Sequence, residues 1–100
     1  MELQENISSQ WLIHESKPFP AGCRNKKIAD TNLTLLESDI AANILTFINT
    51  NGKLVGRRRA ELECQVELLT DSILDLTEEA RSYFDELREI ASIVLTNSND

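Results

Sequence analysis

The sequence contains few of the residue types that usually carry chemistry. Its 100 residues include one histidine, His14, and two cysteines, Cys23 and Cys64, which are far apart. Carboxylate-bridged metal sites in helical bundles need Glu-x-x-His motifs, which a single histidine in this position does not provide. The three glycines form no phosphate-binding loop. We therefore predict no metal, no cofactor, no catalytic residues and no enzyme activity, because His14 and Cys23 have no framework that would orient them as base and nucleophile.

Long apolar runs are also missing. No stretch approaches the roughly 20 apolar residues that a membrane-spanning helix requires. The residues after Met1 have neither the basic start nor the apolar run of a secretory signal. Reduced cysteines are therefore expected rather than a disulfide. We expect a soluble cytoplasmic protein with no membrane contact.

Basic residues are scarce and unevenly distributed. The chain has 10 Lys and Arg against 17 Asp and Glu, and residues 61–100 hold only 2 of the basic residues but 11 of the acidic ones. Such an acidic excess argues against generic binding to nucleic acids or anionic membranes. Residues 1–60, with 8 basic and 6 acidic side chains, leave room for a local basic patch.

The most regular feature present is a heptad pattern between Leu62 and Val94, where apolar residues are spaced alternately by four and three. This heptad seam consists of Leu62, Val66, Leu69, Ile73, Leu76, Ala80, Tyr83, Leu87, Ile90 and Val94. β-Branched residues at a and leucines at d are typical of a two-stranded coiled coil, whereas Phe84, Ala91 and Ile93 widen the stripe as in a helical bundle. We predict a homodimer that forms through the seam.

The sequence predicts an all-α fold in which residues 33–100 form about three helices, as a helical hairpin or bundle. The first helix should run from about Leu35 to Asn51, with Thr34 and Glu37 as a capping box and Gly52 ending it in the left-handed conformation.

The second helix should begin between residues 53 and 57. Thr77, followed by two glutamates, resembles a new N-cap and favours a third helix over about 78–95. One continuous helix over 57–96 is the alternative, because no glycine or proline interrupts that stretch.

Residues 1–32 are predicted to be an extended arm. The segment Lys17–Gly22 contains two prolines, which oppose helix formation. Trp11 and Phe19 would be unusual in a freely solvated tail, so we expect this interaction arm to dock on the core or on a second subunit.

A basic cluster, formed by Lys53, Arg57, Arg58 and Arg59, is the main candidate binding site. Its three arginines would lie in the first turn of a helix, where the helix dipole disfavours positive charge. One explanation is a site for an anion or an acidic partner. The other is local pairing with Glu61, Glu63 and neighbouring carboxylates.

An acidic ridge with a spacing of four residues is the second surface feature, formed by Glu63, Glu67, Asp71 and Asp75. This spacing places the four carboxylates on one helix face. The ridge could bind a basic protein or imitate nucleic-acid charge, or it could simply be solvated.

Taken together, these features indicate a small intracellular, non-catalytic adaptor or regulatory module that acts through a protein partner and forms a homodimer. The alternative is a nucleic-acid-binding transcriptional regulator that uses the basic cluster, with Lys26 and Lys27 assisting.

Overall fold

The structure, a computed structural model, describes residues 2–20, 22, 27–28, 31–50, 52–54 and 56–98. These residues form four helices, namely α1 (Glu2–Glu15), α2 (Leu33–Asn49), α3 (Gly56–Ile73) and α4 (Glu78–Asn97). Two short strands, β1 (Lys27–Ile28) and β2 (Thr31–Asn32), pair in antiparallel fashion between α1 and α2. The all-α class is confirmed, with one helix more than the sequence predicts.

The additional helix is α1, and it overturns part of the predicted arm. The extended conformation expected for residues 1–32 is wrong over residues 2–15, which are helical. Ile7, Trp11 and His14 are all buried, and their spacing of four and three residues places them on one side of the helix. A stripe this narrow, with a histidine as its third member, is a weak amphipathic signal.

The predicted docking of the arm aromatics takes place within the chain. Trp11 is buried in the core, and Phe19 is partly buried against it. The ring of Phe19 stands edge-on to Tyr83 and Phe84, with centroids 5.8 and 5.7 Å away. Residues 17–20 are not helical, as the prolines require.

Helix α2 begins two residues earlier than predicted because a different residue caps it. The side chain of Asn32 accepts hydrogen bonds from the backbone amides of Thr34 and Leu35, at 3.0 and 3.2 Å. The predicted capping box of Thr34 and Glu37 is therefore wrong, and Asn32 satisfies the free amides of the first turn.

The end of α2 follows the sequence-based expectation closely. The Thr50 amide bonds the Thr46 carbonyl at 3.0 Å, and the Gly52 amide reaches back to the Phe47 carbonyl at 2.9 Å. Gly52 takes the predicted left-handed conformation, with φ of 89°. Asn51 lies outside the described residues.

The helix breaks near Thr77, as the favoured alternative predicted. The Leu76 amide bonds the Ile73 carbonyl at 3.0 Å, which tightens the end of α3. The Thr77 hydroxyl accepts from the Ala80 amide at 3.4 Å and caps α4. The continuous helix over residues 57–96 is therefore wrong.

Because of this break, the heptad seam folds back on itself and forms much of the core between α3 and α4. Val66 and Tyr83 are partly buried. The other members of the seam are buried, namely Leu62, Leu69, Ile73, Leu76, Ala80, Leu87, Ile90 and Val94. These side chains are occupied within one chain, so a dimer that used them would have to open the α3–α4 hairpin.

Substitution of a single seam residue tests this packing. Leu69→Ala should lower the free energy of unfolding by about 2–5 kcal/mol, because a fully buried leucine leaves a cavity. The matched control Leu74→Ala, at a position that is 73% exposed, should change it by less than about 0.5 kcal/mol. Urea unfolding followed by circular dichroism measures both, and equal losses would contradict the placement of Leu69 in the core.

Candidate functional site

The side chains of the basic cluster make different contacts in the structure. Arg57, Arg58 and Arg59 lie in the first turn of α3, and Lys53 is exposed just before it. Helices α3 and α4 form an antiparallel hairpin, so the first turn of α3 lies beside the last turn of α4. This arrangement decides which of the three arginines is available to a partner.

Arg59 is committed to the end of α4. It donates to the Leu95 carbonyl and to the Ser98 hydroxyl, both at 3.1 Å, and to the Glu63 carboxylate at 2.7 Å. The last carbonyls of a helix carry partial negative charge, which favours a cation there. The arginine that the dipole of α3 disfavours is thus compensated by the C-terminus of α4.

Arg58 takes part in a polar network between α2 and α3. Its guanidinium donates to Asn43 Oδ1 at 3.1 Å, and Asn43 Nδ2 donates to Gln65 Oε1 at 3.0 Å. Asn43 is only 2% exposed. Both polar ends of this buried amide are therefore satisfied by side chains from α3.

A groove of about 520 Å³ lies over this network, between α2 and α3. The residues that line this α2–α3 groove are Asp39, Ala42, Asn43, Arg57, Arg58, Glu61 and Gln65. Arg57 contacts Glu61 at 3.3 Å, but its side chain is 93% exposed, so this pair holds it only weakly. The groove therefore combines a hydrogen-bonded polar floor with an exposed positive charge.

Two members of the floor were missed by sequence reasoning. Asn43 occupies a position on the apolar face of α2, next to Ile40 and Ile44, and a polar residue at such a position is a signal that could have been read. Gln65 lies 22 residues further along the chain, and nothing in the sequence pairs the two residues.

The other sequence-predicted surface residues are placed apart from the groove. Lys27 is exposed on β1, whereas Lys26 and Cys23 lie outside the described residues. All four residues of the acidic ridge are exposed, and its Glu63 pairs with Arg59. Across the part of the chain that the structure describes, no three potential metal ligands come together.

A second polar cluster, which the sequence did not predict, ties α1 to α4. His14 Nδ1 donates to one carboxylate oxygen of Glu86 and Lys17 Nζ to the other, each at 2.7 Å. The imidazole also packs against the Tyr83 ring at a tilt of 38°, with ring centroids 4.4 Å apart. The phenol of Tyr83 donates in turn to Glu37 of α2.

This cluster has the residue types of an acid–base site but not its accessibility. His14 is 1% exposed, and its Nε2 atom is buried without a hydrogen-bond partner among the described residues. A substrate could not reach that nitrogen unless α1 moved away. The cluster therefore holds the helix in place.

The pKa values of two acidic groups in the cluster, Tyr83 and Glu86, are shifted in opposite directions. Burial, assisted by the hydrogen bond to Glu37, raises the pKa of the Tyr83 phenol well above its ordinary value. Partial burial would also raise the pKa of Glu86, but the hydrogen bonds from Lys17 and His14 outweigh it and hold that pKa below 4.5. The Glu86 carboxylate therefore stabilises the fold in its charged form.

No helix in the described part of the chain is long and apolar enough to cross a membrane. Comparison with protein-family models, with curated proteins and with solved structures gives no match.

Removal of Arg59 tests its structural task. Arg59→Ala should lower the free energy of unfolding by about 1 kcal/mol, since three charge-assisted hydrogen bonds are lost at a site that is one-third exposed. Arg57→Ala removes the same charge and should change it by less than about 0.5 kcal/mol. Urea unfolding gives both values, and a larger loss for Arg57→Ala would refute the assignment.

The pH dependence of stability tests the Glu86 cluster. A carboxyl whose pKa is lower in the folded state adds stability above its unfolded pKa, and this stability is lost as the pH falls through the folded pKa. Glu86→Gln should therefore destabilise the protein by about 1 kcal/mol near pH 7, and the difference should shrink below pH 4.5. Glu89→Gln, on the exposed side of α4, should show neither effect in unfolding measured across this pH range. The free energies of unfolding of Glu86→Gln and of the unsubstituted protein should therefore converge in acid. A constant difference would contradict the stabilising role of the charged Glu86 carboxylate.

Proposed function

We propose that this chain is a non-catalytic protein-binding module of the adaptor or regulatory kind, and that the α2–α3 groove is its binding surface. The observation that carries the proposal is the side-chain network of Arg58, Asn43 and Gln65, which gives the groove a hydrogen-bonded polar floor around a buried amide. A surface whose donors and acceptors are already fixed loses little conformational entropy when a partner binds.

The composition of the groove supports a protein as the partner. Arg57 and Asp39 are exposed residues that line the groove, and arginine is enriched at protein interfaces. Leu45 and Leu68, which are 40% and 45% exposed, lie on the outer faces of the same two helices. A small-molecule site is usually a closed, mostly apolar pocket, whereas this groove is open and lined mainly by polar side chains.

A cytoplasmic location is part of the same proposal. Cys64 carries a free thiol and is exposed on α3. Exposed free thiols persist best where the surroundings are reducing.

The nucleic-acid alternative has weaker support. Arg58 and Arg59, half of the basic cluster, already bond groups within the chain. Asp39 and Glu61 lie in the groove and would repel phosphates. Lys53, Arg57 and Lys27 are exposed basic residues that this alternative would use.

A pair of Ala→Arg variants tests the proposal. Ala42→Arg places a large side chain in the groove, and Ala60→Arg introduces the same change at an exposed position of α3 that does not line it. Proteins cross-linked to the unsubstituted chain in cells, measured by quantitative mass spectrometry, should be lost with Ala42→Arg and retained with Ala60→Arg.

A low-salt mobility-shift assay with duplex DNA and with RNA distinguishes the nucleic-acid alternative from the protein-binding function. We expect no shift with either nucleic acid. A salt-sensitive shift that Arg57→Ala weakens, together with cross-linked proteins that ignore Ala42→Arg, would favour the nucleic-acid function instead.

A further inference from the structure

The charge of the α2–α3 groove differs from that of the chain as a whole. The chain carries a net charge of −7. Four charged residues line the groove, and their signs balance, since Arg57 and Arg58 are basic and Asp39 and Glu61 are acidic. Two copies of an acidic chain repel each other at most orientations, and they repel least where such balanced faces meet.

Apolar side chains accompany this balanced charge. Ala42 and Leu45 lie three residues apart on the outer side of α2. Leu35 lies two helical turns before Ala42, on the same side of the helix. Leu68 lies on α3, three residues after Gln65 of the groove floor. Leu35, Leu45 and Leu68 are 62%, 40% and 45% exposed, so the face offers apolar area that self-association could bury.

Other surfaces are less suited to a second copy. The acidic ridge would oppose its own carboxylates across a two-fold axis. Leu12 and Ile13 form an exposed apolar pair on α1, but Ile13 borders Glu86 and Glu89, which carry the same sign. The heptad seam is already closed within the chain.

We propose that the α2–α3 face binds a second copy of this chain as a two-fold symmetric dimer, in which Arg57 of each protomer pairs with Asp39 of its partner. The proposal rests on the proposed function, since it names the occupant of the same groove. In a two-fold interface each contact between protomers occurs twice, so the dimer contains two ion pairs between Arg57 and Asp39. Asp39 is the preferred acceptor, because Glu61 already contacts Arg57 within its own chain.

Charge reversal provides a test with an internal rescue. Sedimentation equilibrium on the full chain should give a dimer, and Arg57→Glu or Asp39→Arg alone should weaken it by about tenfold or more, because each places like charges in contact. An equimolar mixture of the two single variants should form a heterodimer, since both cross-pairs become attractive. The double variant Arg57→Glu with Asp39→Arg should dimerise again. Arg81→Glu, an exposed arginine of α4, should leave the dimer unchanged.

Several results would overturn the dimer. Circular dichroism of each variant establishes that it is folded, so that a loss of association reports on the interface. A folded chain that stays monomeric at high micromolar concentration, a dimer indifferent to Arg57→Glu, or single variants that fail to associate when mixed each contradict it. A monomeric chain whose cross-linked partner is nevertheless lost with Ala42→Arg overturns the dimer and leaves the proposed function standing. A rescued dimer with no other groove-dependent partner supports the dimer and overturns the adaptor role towards other proteins.

Discussion

The four-residue turn between α3 and α4 is the constraint on which the rest of the structure depends. The apolar stripe on either side of it keeps one heptad phase, so a continuous helix would leave that stripe facing outward along its whole length. The Leu76 amide and the Thr77 hydroxyl close the ends of the two helices and allow the stripe to meet itself. A core then exists for α2 and α1 to cover. The wide stripe, rather than the narrow seam of a coiled coil, is what makes several neighbours necessary.

The same turn explains the arginines at the start of α3. An antiparallel hairpin places the positive end of one helix dipole beside the negative end of the other. Arg59 sits at this junction and bonds the Leu95 carbonyl, which its own helix could not offer. A positive charge at the start of α3 is unfavourable for α3 alone, but at Arg59 it is favourable for the α3–α4 pair. The unfavourable interaction with the dipole of α3 is therefore not evidence of a ligand. Arg57 and Lys53 are exposed, and Arg57 pairs only weakly with Glu61 of its own helix, so these two charges are more accessible to a partner than that of Arg59.

Periodicity predicted the parts of the fold whose apolar face is wide, and local signals predicted the end of α2 and the cap of α4, although not the Asn32 cap of α2. The face of α2, the left-handed Gly52 and the cap at Thr77 depend on neighbours within a few residues, and a sequence displays those directly. Helix α1 was not predicted, because its buried stripe has few members. Pro18 and Pro20 also indicated an extended segment, although the helix ends before them. The polar floor of the groove could not be predicted, since its partners lie on different helices and meet only through the packing that the turn creates.

The buried Asn43 links fold and surface. In the observed register Arg58 and Gln65 both reach this amide, and a register that moved them away would cost the buried amide these two hydrogen bonds. Buried polar residues that allow a single alignment are used in this way to specify register in helical assemblies. The network that selects the α2–α3 register is therefore also the floor of the groove. The same two hydrogen bonds that join α2 to α3 thus fix which polar atoms the groove presents.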